Sequence, residues 1–170
     1  MKAFSQPIQT RALSSNSSRD CRLRRSRGLG FALAALLTGA LLAVSACQKA
    51  EPKPLDIVTG DTCYRCRAPI TEKHFAAEFV TKDGFVRKFD DISCMTQHAA
   101  KVGKKNIEAY FVADFPSQQW LKGEEAFFVQ SEQINTPRNS GILAFKTQAQ
   151  AKALADQYKG KLLKFDDLVK

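Results

Sequence analysis

Histidine and methionine are scarce in this chain, with two of each in 170 residues, and there is a single tryptophan. No Gly-rich phosphate loop and no Gly-x-Ser-x-Gly elbow occurs. A phosphate cradle needs glycine-freed backbone N–H groups, and an elbow nucleophile needs a strained turn, so both classes lose their local signature. Two histidines leave little material for a histidine-based catalytic set. A long apolar run is missing too. The longest stretch, Phe31 to Val44, falls short of the ~20 residues that a membrane span requires.

What surrounds that short run gives it a meaning. Arg19, Arg22, Arg24, Arg25 and Arg27 precede it, and Val44-Ser45-Ala46-Cys47 ends it. A basic segment, an apolar segment and small residues before a cleavage point make a secretory signal. Val-Ser-Ala-Cys also resembles the bacterial lipobox, which implies lipidation at Cys47 and a tether to the membrane through acyl chains. The expected anchor lies on the periplasmic side. Gln48 stands where an Asp would signal inner-membrane retention, which favours the outer membrane.

Removing residues 1–46 changes the charge. They hold seven of the 26 Lys/Arg and one of the 17 Asp/Glu, so the net charge falls from +9 to +3. Most of the basic excess belongs to the signal, and a case for nucleic-acid binding fails. Of five cysteines, Cys21 leaves with the signal and Cys47 takes the lipid, so Cys63, Cys66 and Cys94 remain. An oxidising compartment favours paired cysteines, and three cannot all pair within one chain. An odd thiol points to reactivity or to a metal.

The remaining chain reads as follows. Residues 47–60 form the lipidated N-terminus and a Pro/Lys/Glu-rich flexible tether. HFAAEFVT and FVRKFD read as strands joined at Lys82-Asp83-Gly84, an Asp-Gly hairpin signal. Ile92, Met95, Ala99 and Val102 then recur with helical spacing, with Asp90 or Asp91 as cap and Gly103 as stop. A strand begins at Ile107, and Pro116 closes a first half over 61–115. The second half, 116–170, has strands from Ala126 and Ile142, a helix capped by Thr147, and a strand from Lys161. The expected fold class is α+β: two similar ββαβ halves with short antiparallel sheets packed with helices.

The chemistry-bearing residues are Cys63 and Cys66 on a loop and Cys94, Met95 and His98 on a helix start. Cys94 and His98 are four residues apart and share a helix face. The first turn favours a thiolate at Cys94. Soft sulfur ligands select Cu(I) or zinc, and a thioether weighs toward Cu(I). Taken singly, Met95 fits a core position, His98 a surface one, and Cys94 a small buried hydrophobe. Cys63 and Cys66 fit a plain disulfide in a structural or assembly lipoprotein. A c-type haem attachment fails because Arg67 stands where histidine is needed. A thiol-disulfide redox role for Cys63/Cys66 is the alternative, although no strand precedes the pair.

As an ordered set, these features resemble the NosL family. The match runs from the lipobox through Cys-x-x-Cys, Phe89-Asp90-Asp91, Cys94-Met95, Trp120, Thr136-Pro137 with Ser140-Gly141, Ala144-Phe145 and Phe165-Asp166. The resemblance implies a periplasm-facing lipoprotein, not an enzyme, that binds Cu(I) and hands it to a recipient, nitrous oxide reductase or its assembly factors. Two departures stand out. Family members carry methionine where this chain has Ala68, and after Thr-Pro where it has Arg138. The expected copper set is therefore thiolate-weighted: Cys63, Cys66 and Cys94, with Met95 and His98 as further candidates. Arg138 would bring a positive charge to the site if its loop folds over it.

Overall fold

The computed structural model describes residues 50–170. The segment expected to be a signal and Cys47, expected to carry lipid, lie outside the described residues. Among the described residues no helix is long and apolar enough to cross a membrane.

The first sheet begins with β1 (Ala77–Thr81) and β2 (Val86–Phe89), antiparallel partners with Ala77 opposite Phe89. Gly84 makes the reversal at φ 85°, a left-handed conformation that a side chain would strain, and its N–H returns to the Thr81 carbonyl. Helix α1 (Ile92–Val102) follows. The Asp91 carboxylate accepts the Ser93 N–H at its start, and Gly103, at φ 83°, ends it. Ile92, Met95 and Ala99 are buried, as their spacing requires. Strand β3 (Ile107–Ala113) runs back beside β1, and β4 (Trp120–Lys122) pairs with β3, giving the order β2-β1-β3-β4.

Strand β4 was not expected. It lies beyond Pro116 yet completes the first sheet. Asp114 causes the return: its carboxylate accepts from the backbone and hydroxyl of Ser117, while its own N–H donates to the Gln119 carbonyl.

The second sheet has the order β6-β5-β7, from β5 (Phe127–Gln130), β6 (Ile142–Phe145) and β7 (Lys161–Leu163). Helix α2 (Gln148–Gln157) begins at Thr147, whose hydroxyl accepts the Gln150 N–H. A one-turn helix, α3 (Phe165–Leu168), closes the chain. The order strand-strand-helix-strand therefore occurs twice, and the chain is α+β as expected. One core joins the halves: Phe79, Phe89, Ile92 and Met95 pack in the same cluster as Phe128, Ile142, Ala144 and Phe165.

Leu55 and Asp56 differ from the flexible tether read in the sequence. They are held against β1 and β2. The Leu55 N–H donates to Glu78 at 2.8 Å, and Lys88 donates to the Asp56 carbonyl and the Asp61 carboxylate, each at 2.6 Å. Lys73 pairs with Asp56. Composition suggests a solvated linker, but these partners lie 17 to 32 residues downstream and leave no local period to read.

Candidate metal centre

The cysteine loop is a closed knuckle. Thr62 and Pro69 form a bridge, the Cys63 N–H donates to the Ala68 carbonyl at 2.8 Å, and the Arg67 N–H returns to the Cys63 carbonyl at 2.9 Å. Closing so tight a loop puts Arg67 at φ 66°, an uncommon conformation for a residue with a side chain. The Tyr64 N–H donates to the Lys88 carbonyl and fastens the knuckle to β2. The Tyr64 ring sits beneath the Arg87 guanidinium, 4.3 Å from its centroid.

Strand β2 ends at Phe89, so Asp90 and Asp91 fall between the strand and α1, and Cys94 falls in the helix's first turn. Knuckle and helix start meet. One donor atom each from Cys63, Cys66, Asp90 and Cys94 all lie within 4.8 Å of one another. An ion with metal–sulfur bonds of ~2.3 Å holds tetrahedral donors ~3.8 Å apart, so these four need to move by only about an ångström. All three cysteines are free thiols; Cys63 and Cys94 are buried and Cys66 is partly exposed. The Cys66 thiol faces both Asp90 oxygens at 3.5 Å.

The second half contributes a cation. Arg138 lies on the loop between β5 and β6, and this loop does fold over the site. Its Nε and Nη2 each reach the Asp90 carboxylate at 2.8 Å, and its backbone N–H donates to Asp91 at 3.1 Å. The Ser140 hydroxyl donates to the other Asp91 oxygen at 2.8 Å. Arg65 adds a weaker contact, with Nη1 3.9 Å from the Cys94 sulfur.

These neighbours divide the protons. The hydrogen bond from Cys94 pulls the Cys63 thiol down to about 6, against the opposing effect of burial. Cys94 is pushed up as the donor of that bond and by burial. Burial also raises Cys66. Burial acts to raise Asp90, but hydrogen bonds from Cys63, Arg138 and Cys94 outweigh it and hold the carboxyl below its usual range. The helix start favours a thiolate at Cys94, but Cys63 and burial act against it there, and Cys63 is the thiol that is lowered.

Among the other candidates, Met95 is fully buried in the core that also holds Cys63 and Cys94. His98 shares the helix with Cys94 but stands outside the four-residue cluster. Its ring stacks on Phe79 at 5.9 Å and meets the edge of Tyr64 at 5.0 Å. Burial and the nearby Arg87, Lys101, Arg65 and Arg67 lower its pKa. Asp90 is the donor that sequence reasoning missed as a site residue. Its signal was the doubled acid of Phe-Asp-Asp: one Asp suffices to cap a helix, and the second needs another purpose.

Comparison with known proteins bears on the family and the fold. A family model described as NosL matches residues 54–170. Among solved structures, that of the copper chaperone NosL from Shewanella denitrificans shares the fold, with a TM-score of 0.61 at 20% identity. The alignment covers 69% of this chain and 96% of that one. No curated protein sequence matches the chain.

Proposed function

The chain belongs to the NosL family, and from that premise we propose that it carries Cu(I) on the periplasmic side of a bacterial membrane, held there by lipid on Cys47, and passes the ion to a recipient protein. By family resemblance the recipient is nitrous oxide reductase or one of its assembly factors. The convergence of Cys63, Cys66, Cys94 and Asp90 within 4.8 Å carries this reading. Thiolates favour soft ions, Cu(I) foremost and zinc second.

The mechanism is ligand exchange rather than catalysis. Cys63 and Cys94, both buried, form the holding pair, while the partly exposed Cys66 is where an incoming ligand meets the ion first. Displacement then proceeds from Cys66 inward, one sulfur at a time. Arg138 and Asp90 stay paired beside the ion.

The acidic thiol of Cys63 favours a second reading, thiol-disulfide exchange through Cys63 and Cys66. One experiment separates the two. The full-length product, purified in detergent and reduced without oxygen, is titrated with Cu(I) against a chromophoric chelator. Tight stoichiometric binding that disappears in the Cys63→Ser/Cys66→Ser variant supports the carrier. No competition with the chelator, together with a Cys63–Cys66 disulfide that exchanges readily with glutathione, sinks it in favour of the redox reading.

A further inference from the structure

Arg138 is a permanent cation placed against a cluster of three thiols and a carboxylate. Its guanidinium makes two 2.8 Å contacts to Asp90, whose side chain is 4% exposed, and Asp90 in turn touches the Cys66 sulfur. The loop beneath it is fixed independently of the side chain: the Arg138 backbone N–H and the Ser140 hydroxyl both bond Asp91. Asp91 is committed to those bonds and to the Ser93 N–H, while Arg138 meets Asp90 and Arg65 lies 3.9 Å from the Cys94 sulfur.

We propose that Arg138 is a specificity-determining residue of this site, the counter-cation that tilts it toward a monovalent thiophilic ion, Cu(I), over a divalent one such as Zn(II). The inference rests on the carrier reading above. A Cu(I) ion held by three thiolates leaves two net negative charges. Zn(II) in the same trio leaves one. The Asp90 carboxylate adds a negative charge to both. Whatever the thiols' protonation before binding, the copper-loaded cluster is one charge more negative than the zinc-loaded one. A fixed cation beside it therefore stabilises the copper form more.

The magnitude follows from one charge acting a few ångströms away. The Arg138 side chain is 37% exposed, so solvent weakens the interaction, and a change of roughly tenfold in the ratio of affinities is expected. The test measures Cu(I) and Zn(II) affinities, each by competition with a chelator, for the full-length product, Arg138→Gln and Arg138→Lys. Arg138→Gln should lower the Cu(I)-to-Zn(II) affinity ratio by roughly tenfold, and Arg138→Lys, which keeps the charge, should recover most of it. A loss purely of loop structure would weaken both ions alike and leave the ratio unchanged, and that result overturns the inference. So does an unchanged affinity for both ions. If the parent protein retains no Cu(I), the carrier reading itself fails, and the inference falls with it. Retention by the parent with an unaltered ratio in Arg138→Gln overturns the inference alone.

Discussion

Glu78 shows how one side chain can set the pH response of the fold. It is fully buried on β1, with one oxygen accepting the Leu55 N–H and the other without a partner among the described residues. Burial raises its carboxyl to about 8. The folded state thus binds the proton more tightly than the unfolded chain, where the group titrates near its ordinary value. Between those two values the folded state holds more protons, so stability falls as pH rises. The loss is complete only above the folded pKa and amounts to about 5 kcal/mol. Glu78→Gln keeps an acceptor for Leu55 and removes the titration. Between pH 5 and pH 9 the melting temperature of the parent should fall relative to that of Glu78→Gln, whatever slope the other groups, Cys63 among them, give to both curves. Parallel curves would show that Glu78 does not carry this dependence. The same residue-by-residue view explains what was readable at the site. The Cys-x-x-Cys spacing and Cys94 are visible in any reading of the chain. Asp90 shows only as the second acid of Phe-Asp-Asp, because its partner Arg138 lies 48 residues away and sequence spacing does not report a contact of that range.

At the scale of elements, α1 and the β1–β2 hairpin are legible because each carries its own stop signals: Asp91 and Gly103 for the helix, Asp83-Gly84 for the turn. Strand β4 and helix α3, with three and four residues, are too short to show a period, and β4 forms only because the Asp114 turn returns the chain to β3. The loop that delivers Arg138 is defined by contacts rather than by pattern. The Thr136 hydroxyl accepts the N–H groups of Ser140 and Gly141, and Gly141 has φ 63°. A Cβ at Gly141 would stand 1.9 Å from the Ser131 carbonyl oxygen, in backbone that cannot yield cheaply. At Gly84 the same atom would meet nothing within 4 Å. Both positions have positive φ, so both alanine variants bear conformational strain of roughly 1 kcal/mol, and only Gly141→Ala adds a backbone collision. Urea unfolding should find Gly141→Ala less stable than Gly84→Ala by roughly 2 kcal/mol or more. Equal losses would mean that the loop shifts freely, and then its hold on Arg138 is weaker than these contacts indicate.

Considered as a whole, the molecule puts its candidate metal centre on the first half and that centre's counter-cation on the second, so the site is complete only when both halves are joined. Their joint is short and buried. Asp114, 2% exposed, forms a parallel bridge with Ala144, and the Phe115 N–H donates to the Ala144 carbonyl at 2.8 Å. One Asp114 oxygen accepts the Lys146 N–H at 2.8 Å, and the other accepts from Ser117. The carboxylate therefore serves the first sheet's turn and the second sheet's exit together. Asp114→Ala leaves the Lys146 and Ser117 donors without this partner and should cost roughly 2–3 kcal/mol. Because Phe79 and Phe89 share one core with Phe128 and Phe165, that cost should fall on both halves at once. Trp120, the single tryptophan, reports the first sheet by fluorescence, while far-ultraviolet circular dichroism also follows α2 in the second half. In the parent the two transitions should coincide, and in Asp114→Ala both should move to lower denaturant by the same amount. If fluorescence shifted while dichroism kept a later transition, the halves would be separable units. Copper held by the first half would then no longer depend on the second for its charge balance.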